Sequence, residues 1–266
     1  MDNQDTVLLE RVADVVTLKL NIPQRLNPLS HSLQIRLRER LAALRADKSV
    51  RALVLTGEGK AFCVGADLSS MSPREGQSLG QATQVTMETL TNPLVQDMRS
   101  MPFPVVSAVN GACAGAGVGL ALAADVVIAA RSAYFYLPFM PRLGIIPDLG
   151  ATWHLERLVG RARAVAMSLL NERLSAEQAQ QWGLIWQVAD DAELPAAAQA
   201  LANRLARLPA HAATEMRAVY ELAGQQGLDA QLQTEAEFQG RLIGSPEFDE
   251  GVAAFLAKRD PVFKQR

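Results

Sequence analysis

The chain lacks the usual markers of metal, hydrolase and redox chemistry. Its 266 residues hold three histidines and two cysteines. His31, His154 and His211 stand in no HxxxH or HExxH context, so no metal-binding helix motif is present. Cys63 and Cys113 sit in Gly/Ala-rich surroundings without CxxC spacing. Two such thiols make no disulfide framework, and a reducing, cytoplasmic setting is expected. There is no GxSxG elbow and no GxxxxGK[ST] loop, which argues against an α/β-type serine hydrolase and a P-loop nucleotide site. Charge of one sign is not in excess: the formal net charge is -2 and the basic residues are scattered. Nothing electrostatic therefore points to nucleic acid or an anionic membrane as partner. The opening MDNQDTVLLERV has no basic region before an apolar run, and no membrane span or targeting segment is expected.

What is present is enough apolar sequence for a full core. Residues 6–10 and 14–20 predict a hairpin, and 33–46 a helix capped by Ser30 or Ser32. Buried-type strands are expected at 51–57, 104–110 and 126–130. The stretch 72–80 is polar and predicts a surface loop, with a helix over about 83–100. A strand, a Gly/Ala loop and a helix occur twice, about 50 residues apart. That spacing is closer to a repeated ββα unit than to a simple βαβ series. After Gly150 the pattern is helical, with a Ser175–Gln178 capping box, a stop at Gly183 and a last strand at 184–188. Helices follow at 193–207, 210–224, 228–243 and 246–257, the last started by Ser245–Pro246. The expected organisation is an α/β core over 1–192 and a helical region over 193–266.

The two Gly/Ala loops are GKAFCVGAD (59–67) and GACAGAGVG (111–119). Gly115, Gly117 and Gly119 suggest a dinucleotide fingerprint, but the third glycine comes one residue early. Asp125 is expected within the following helix, not at the end of the next strand, where a ribose-binding acid belongs. Two other readings remain. Small residues let a strand and a helix pack tightly, or they leave backbone N–H groups bare at a helix start, where a developing anion is stabilised.

Four segments together resemble the enoyl-CoA hydratase/isomerase (crotonase) superfamily over about residues 5–264. They are AFCVGADL (61–68), NGACAGAGVGLALAAD (110–125), LGIIPDLGATWHLERLVG (143–160) and FLAKRDPVF (255–263). The resemblance implies an α/β fold, a superhelix of repeated ββα units, with C-terminal helices that serve trimerisation. It implies a homotrimer or a dimer of trimers and an acyl-CoA thioester as substrate, coenzyme A being part of that substrate and no separate cofactor being needed. The N–H groups of Ala66 and Ala116 would hold the thioester oxygen. The acyl-CoA would lie along Phe62, Val64 and Asp67, with Gly115 and Phe139 nearby. Arg25 would meet phosphate, and Lys258 and Phe263 would help enclose the nucleotide end.

The departures from the family carry the sharper expectation. Hydratases of the family use two glutamates. The matching positions here are Gly119 and either Phe139 or Met140, so both acids are missing. Between Val126 and Leu155 the only carboxylate is Asp148. The residues alone leave it two roles: N-cap of the helix near Gly150, or an acid/base raised in pKa by Ile145, Ile146, Leu149 and Phe139. An acid here resembles the family's dienoyl-CoA isomerases. IIPDLGATW, GRARA (160–164) and LSAEQAQQWGLIWQVADD (174–191) resemble the isomerases that act on ring 1,2-epoxyphenylacetyl-CoA in phenylacetate breakdown. The resemblance assigns Asp148 to acid/base work in an isomerase. A hydratase with a rearranged site and a silent acyl-CoA-binding subunit are the alternatives.

Overall fold

The computed structural model describes residues 5–73 and 75–263. Arg74, inside the expected surface loop, and the two chain ends lie outside the described residues. The hairpin forms as β1 (Val7–Val12) and β2 (Val15–Leu20), antiparallel from Val7↔Leu20 to Val12↔Val15. Helix α1 (His31–Ala46) begins at Ser30, whose side chain accepts a hydrogen bond from Leu33 N at 3.2 Å. Its Leu33, Leu37, Leu41 and Leu44 share a buried face, as the helical spacing predicts.

The rest of the core is built from a stepped pair of strands used three times. β3 (Ala52–Gly57) is followed by β4 (Ala61–Cys63), β5 (Val105–Val109) by β6 (Ala112–Ala114), and β7 (Val126–Ala130) by β8 (Tyr134–Tyr136). The first of each pair joins a six-stranded sheet in the order β1-β2-β3-β5-β7-β10, and the second a four-stranded sheet, β4-β6-β8-β9. The long strands pair in parallel and are almost wholly buried, which is why they read as unbroken apolar runs. β9 (Arg173–Ser175) and β10 (Gln187–Ala189) close the two sheets. The short strands inside both Gly/Ala loops escape a sequence reading, because three residues carry no periodic signal. The strand expected at 184–188 pairs only over β10.

Each step is completed by helix. α2 (Leu79–Thr86) starts four residues earlier than expected, because Ser78 and Gln81 form a reciprocal capping box. It runs through a π-helical stretch (Met87–Thr91) into α3 (Asn92–Arg99). α4 (Ala116–Leu122) is buried at every residue, and α5 (Ala151–Leu169) is broken at Gly160. α6 (Ala176–Gln181) is capped by Ser175 accepting from Gln178 N at 3.2 Å. α7 (Leu194–Ala206) lies on β2, β3, β5 and β7 and buries Leu194, Ala198, Ala202 and Ala206 in the same core. α8 (Ala212–Ala223), α9 (Leu228–Ile243) and α10 (Pro246–Leu256) stand further out, and α9 buries no residue. One expectation is corrected. Asp125 lies not in α4 but in the turn after it, where it accepts from Val105 N at 2.7 Å and pairs with Arg217. Among the described residues no helix is long and apolar enough to cross a membrane.

Candidate active site

The stepped strands bring the two Gly/Ala loops side by side. β4 and β6 pair in parallel, Ala61↔Ala112 and Cys63↔Cys113, so the turns that leave the two strands are also adjacent. Gly65 has φ +94, and a Cβ placed on it would lie 3.0 Å from Ala116 N and 3.0 Å from Ala114 O. The contact is therefore backbone against backbone, and a side chain at 65 would wedge the loops apart. Gly115, with φ +52, faces Gly65 Cα and Val64 O, each 3.6 Å from its hypothetical Cβ. The Phe139 ring closes the same spot, with Cζ 3.9 Å away. Ala116 opens α4, so its N–H has no acceptor within the helix. At Ala66 the loop's own bonds use the carbonyls: Leu29 N donates to Gly65 O at 2.8 Å, and Leu68 N to Ala66 O at 3.1 Å.

Buried and half-buried amides fasten this arrangement. Asn27, fully buried at φ +55, donates to Glu58 O at 3.0 Å and Ala61 O at 2.8 Å, and accepts from Ile22 N at 2.8 Å. Asn110 accepts from Gly57 N at 3.0 Å and donates to Gly59 O at 2.9 Å. A second chain of bonds starts in the π-helical stretch. Thr91 Oγ1 donates to Gln34 Oε1 at 2.8 Å, and Gln34 Nε2 to Leu29 O at 3.0 Å; Leu29 N then meets Gly65 O. Sequence reasoning missed Asn27, Gln34, Thr91 and the fastening role of Asn110. The available signal was polar side chains interrupting apolar runs, which a buried amide produces only when it is fully bonded.

Asp148 joins the loops through α4. A Cβ on Gly119 would lie 3.0 Å from Asp148 O, 2.5 Å from Leu149 O and 2.7 Å from Leu149 Cβ. Gly119 is three residues past Ala116, about 4.5 Å along a helix axis. The Asp148–Leu149 backbone thus rests one turn from the Ala116 N–H. The cap role does not hold. α5 is capped by Gly150 at φ +74, with no side-chain cap bond, and Asp148 contributes only its carbonyl, to Ala151 N at 2.9 Å. Its Oδ1 is buried with no hydrogen-bond partner. Burial pushes the carboxyl up to about 6, opposed by its own backbone N–H. The apolar cover differs from expectation, since Leu149 and Phe139 are buried whereas Ile145 and Ile146 face outward, Ile146 at 71%. His154, missed as a neighbour, packs over Gly150. Burial first, then Arg99 and Arg157, hold it down to about 4, so it is uncharged at neutral pH. Burial pushes the Cys63 thiol up to about 12 and Cys113 also upward, which leaves neither a nucleophile.

The remaining expected residues fall into three places. Val64 and Asp67 lie on the first loop, but the Asp67 carboxylate turns to Arg25 Nη2 (2.6 Å) and Ser69 Oγ (2.6 Å). The bonds from Ser69 and Arg25 hold it below the usual carboxylate range. Arg25 is 51% exposed and also donates to Ser69 Oγ at 2.9 Å. Phe62 is fully buried in β4, so its side chain belongs to the core. Lys258 (φ +53) and Phe263 sit on the C-terminal lobe. There Phe263 lines an apolar groove of about 410 Å³ with Leu242, Phe248 and Phe255.

The family profile described as enoyl-CoA hydratase/isomerase matches residues 10–266. A 1,2-epoxyphenylacetyl-CoA isomerase of Escherichia coli K12 is 47% identical over 252 residues, 94% of each chain. A "probable enoyl-CoA hydratase" of Rhodobacter capsulatus is 43% identical over 262 residues, 98% of each chain. The crystal structure of an enoyl-CoA hydratase from Bacillus anthracis superposes with a TM-score of 0.87 at 31% identity, covering 97% of this chain and 99% of that one. The stepped two-sheet fold is shared with that solved relative, and the chain belongs to the enoyl-CoA hydratase/isomerase family. Relatives carry both the isomerase and the hydratase name, so the family alone does not choose between the two reactions.

Proposed function

We propose that the protein is an acyl-CoA isomerase with one acid/base, Asp148, and an oxyanion hole made by the N–H groups of Ala66 and Ala116. The observation that carries this reading is the buried, unpartnered Oδ1 of Asp148, a residue whose main chain rests against Gly119 on the helix that Ala116 opens. Two donors on the thioester oxygen stabilise an enolate, which makes a proton next to the carbonyl removable. Asp148 takes that proton from C2 of a 3-enoyl-CoA. The electron pair moves through the enolate so that C2=C3 forms, and the same carboxyl returns the proton at C4. A carboxyl raised to about 6 both accepts and gives back a proton near neutral pH. The reaction has no net oxidation and asks for no metal or redox cofactor.

The substrate we favour is ring 1,2-epoxyphenylacetyl-CoA, isomerised to the oxepin, with enoyl-CoA double-bond shifts as a related activity. The 47% identity to an enzyme of that name supports it. A panel of a 2-enoyl-CoA, a 3-enoyl-CoA and the enzymatically made ring epoxide tests the reading. Oxepin formation or double-bond migration supports it. Water addition to the 2-enoyl-CoA would make the protein a hydratase, and binding without turnover a silent acyl-CoA carrier.

Arg25 and the first loop are proposed to hold the nucleotide part of CoA, with Lys258 and Phe263 at its far end. A homotrimer or dimer of trimers, joined through the C-terminal helices, is part of the same proposal. Its support is the apolar surface there, with Phe255 at 83%, Val262 at 76% and Leu256 at 75% exposure. Light scattering at micromolar concentration is expected to give a trimer or larger. A monomer would count against the assembly and against enclosure of CoA by Lys258 and Phe263.

A further inference from the structure

Three features converge on residue 119. α4 is buried at every position, and what faces it at Gly119 is the carbonyl oxygens of Asp148 and Leu149 together with the Leu149 Cβ. A Cβ there would stand 2.5 Å from Leu149 O and 2.7 Å from Leu149 Cβ, where non-bonded carbons keep about 3.5 Å or more. Leu149 itself is held at φ +48, followed by Gly150 at φ +74. A leucine rarely adopts this left-handed conformation and does so only where its surroundings over-determine it. Oδ1 of Asp148 has no hydrogen-bond partner, and the hydrogen bond that acts on the carboxyl comes from the residue's own backbone N–H, which ties it to no other element.

We infer that Gly119 is the positioning residue of the acid/base: the bare face of α4 seats the Asp148–Leu149 main chain, and this seat fixes where the carboxylate stands relative to the Ala116 N–H. The inference rests on Asp148 being the acid/base. Backbone contact with α4 does the work that hydrogen bonds do for most buried carboxylates. It leaves Oδ1 free for a proton while removing the freedom an unbonded side chain would otherwise have. A side chain at 119 lifts the 148–150 turn off the helix and moves the carboxylate toward solvent.

The test compares wild type, Asp148→Asn and Gly119→Ala in double-bond migration and acyl-CoA binding. Were wild type inactive, or Asp148→Asn active, the acid/base reading itself would fail, whatever Gly119 does. With that reading upheld, folded Gly119→Ala is expected to bind acyl-CoA within a few-fold of wild type and to lose roughly 100-fold in kcat. The acidic limb of its pH–rate profile should move from near 6 toward the ordinary carboxylate range, a shift that a merely structural role would not produce. Retention of kcat, or loss of binding with the limb unmoved, overturns the inference. Should Gly119→Ala not fold, Gly119→Ala/Leu149→Gly removes the Cβ contact and suits the left-handed φ. That double variant, folded but catalytically poor, supports the seat. Full activity in it, or failure of both variants to fold, overturns the inference.

Discussion

The two halves of the site are built on opposite rules. Around Ala66 and Ala116 the polar groups are tied down. Asn27 and Asn110 bind the turn before β4, and Thr91, Gln34 and Leu29 lead to Gly65. Around Asp148 the opposite holds: a buried carboxylate oxygen has no partner, and its carboxyl is raised in pKa by burial. On the proposed reading the first half acts through main chain, which can be rigid because its donors never change state. The second would act through a side chain whose proton must come and go, and every added hydrogen bond to its charged form would lower its basicity. Saturation suits a fixed dipole, and deprivation suits a proton carrier.

The strongest way to break this contrast is at Asp148. Asp148→Asn keeps the shape and removes the titration, and double-bond migration is expected to fall roughly 10²–10⁴-fold with acyl-CoA binding kept. Stability should move the other way. The folded pKa of about 6 lies above the ordinary 3.8, so the native state binds the extra proton between those values. Wild type therefore loses stability as pH rises from about 4 to about 6, and the loss stays in full above that. The Asn variant is expected to be more stable than wild type at pH 7, by on the order of 2 kcal/mol. Below pH 4 the two should converge in urea unfolding. Activity near wild type would return Asp148 to a structural role.

Ala116→Pro probes the other half. Proline is accepted at the first position of a helix, where it removes the N–H and puts a ring carbon in its place. Turnover is expected to fall by roughly 10²–10³ with circular dichroism unchanged. A folded variant of normal rate would end the oxyanion assignment. Asn27→Ala sharpens the contrast in stability terms. It takes a donor from Glu58 O and Ala61 O and the acceptor from Ile22 N, puts alanine at φ +55, and is expected to cost roughly 2–3 kcal/mol in urea unfolding. A loss below about 0.5 kcal/mol would mean the first half is not held by its amides. The smallest effect is expected at Arg25. It is half exposed and committed to Asp67, and Arg25→Ala should raise KM for the CoA ester a few-fold at constant kcat. An unchanged KM would place the nucleotide elsewhere.

Much of the fold was legible because its long strands and helices carry periodicity, and Ser30, Ser175 and Ser245 mark helix starts where the structure puts them. The second sheet was not, since β4, β6 and β8 are three residues each, the first two inside segments that read as loops and the third in a segment given no element. At the site, the lone acid and the two glycine loops stand out in sequence. What decides between cap and unbonded acid does not, for it depends on Gly150 taking the cap and on Leu149 accepting a left-handed backbone. The amide network was hidden for a similar reason, its partners being carbonyls up to 51 residues away.

The close approach of Gly119 to Leu149 also constrains how such a chain can change over generations. Position 119 is where the family's hydratases carry one of their glutamates. With Leu149 O 2.5 Å from a would-be Cβ, no side chain enters that position until the 148–150 turn has moved. With Asp148 as the proposed acid, the first mutant on that road would lose the old acid's placement before the new acid could work. Neighbouring activities on one scaffold are then separated by a valley in sequence space, and a lineage crosses it through a remodelled turn, not through a single codon.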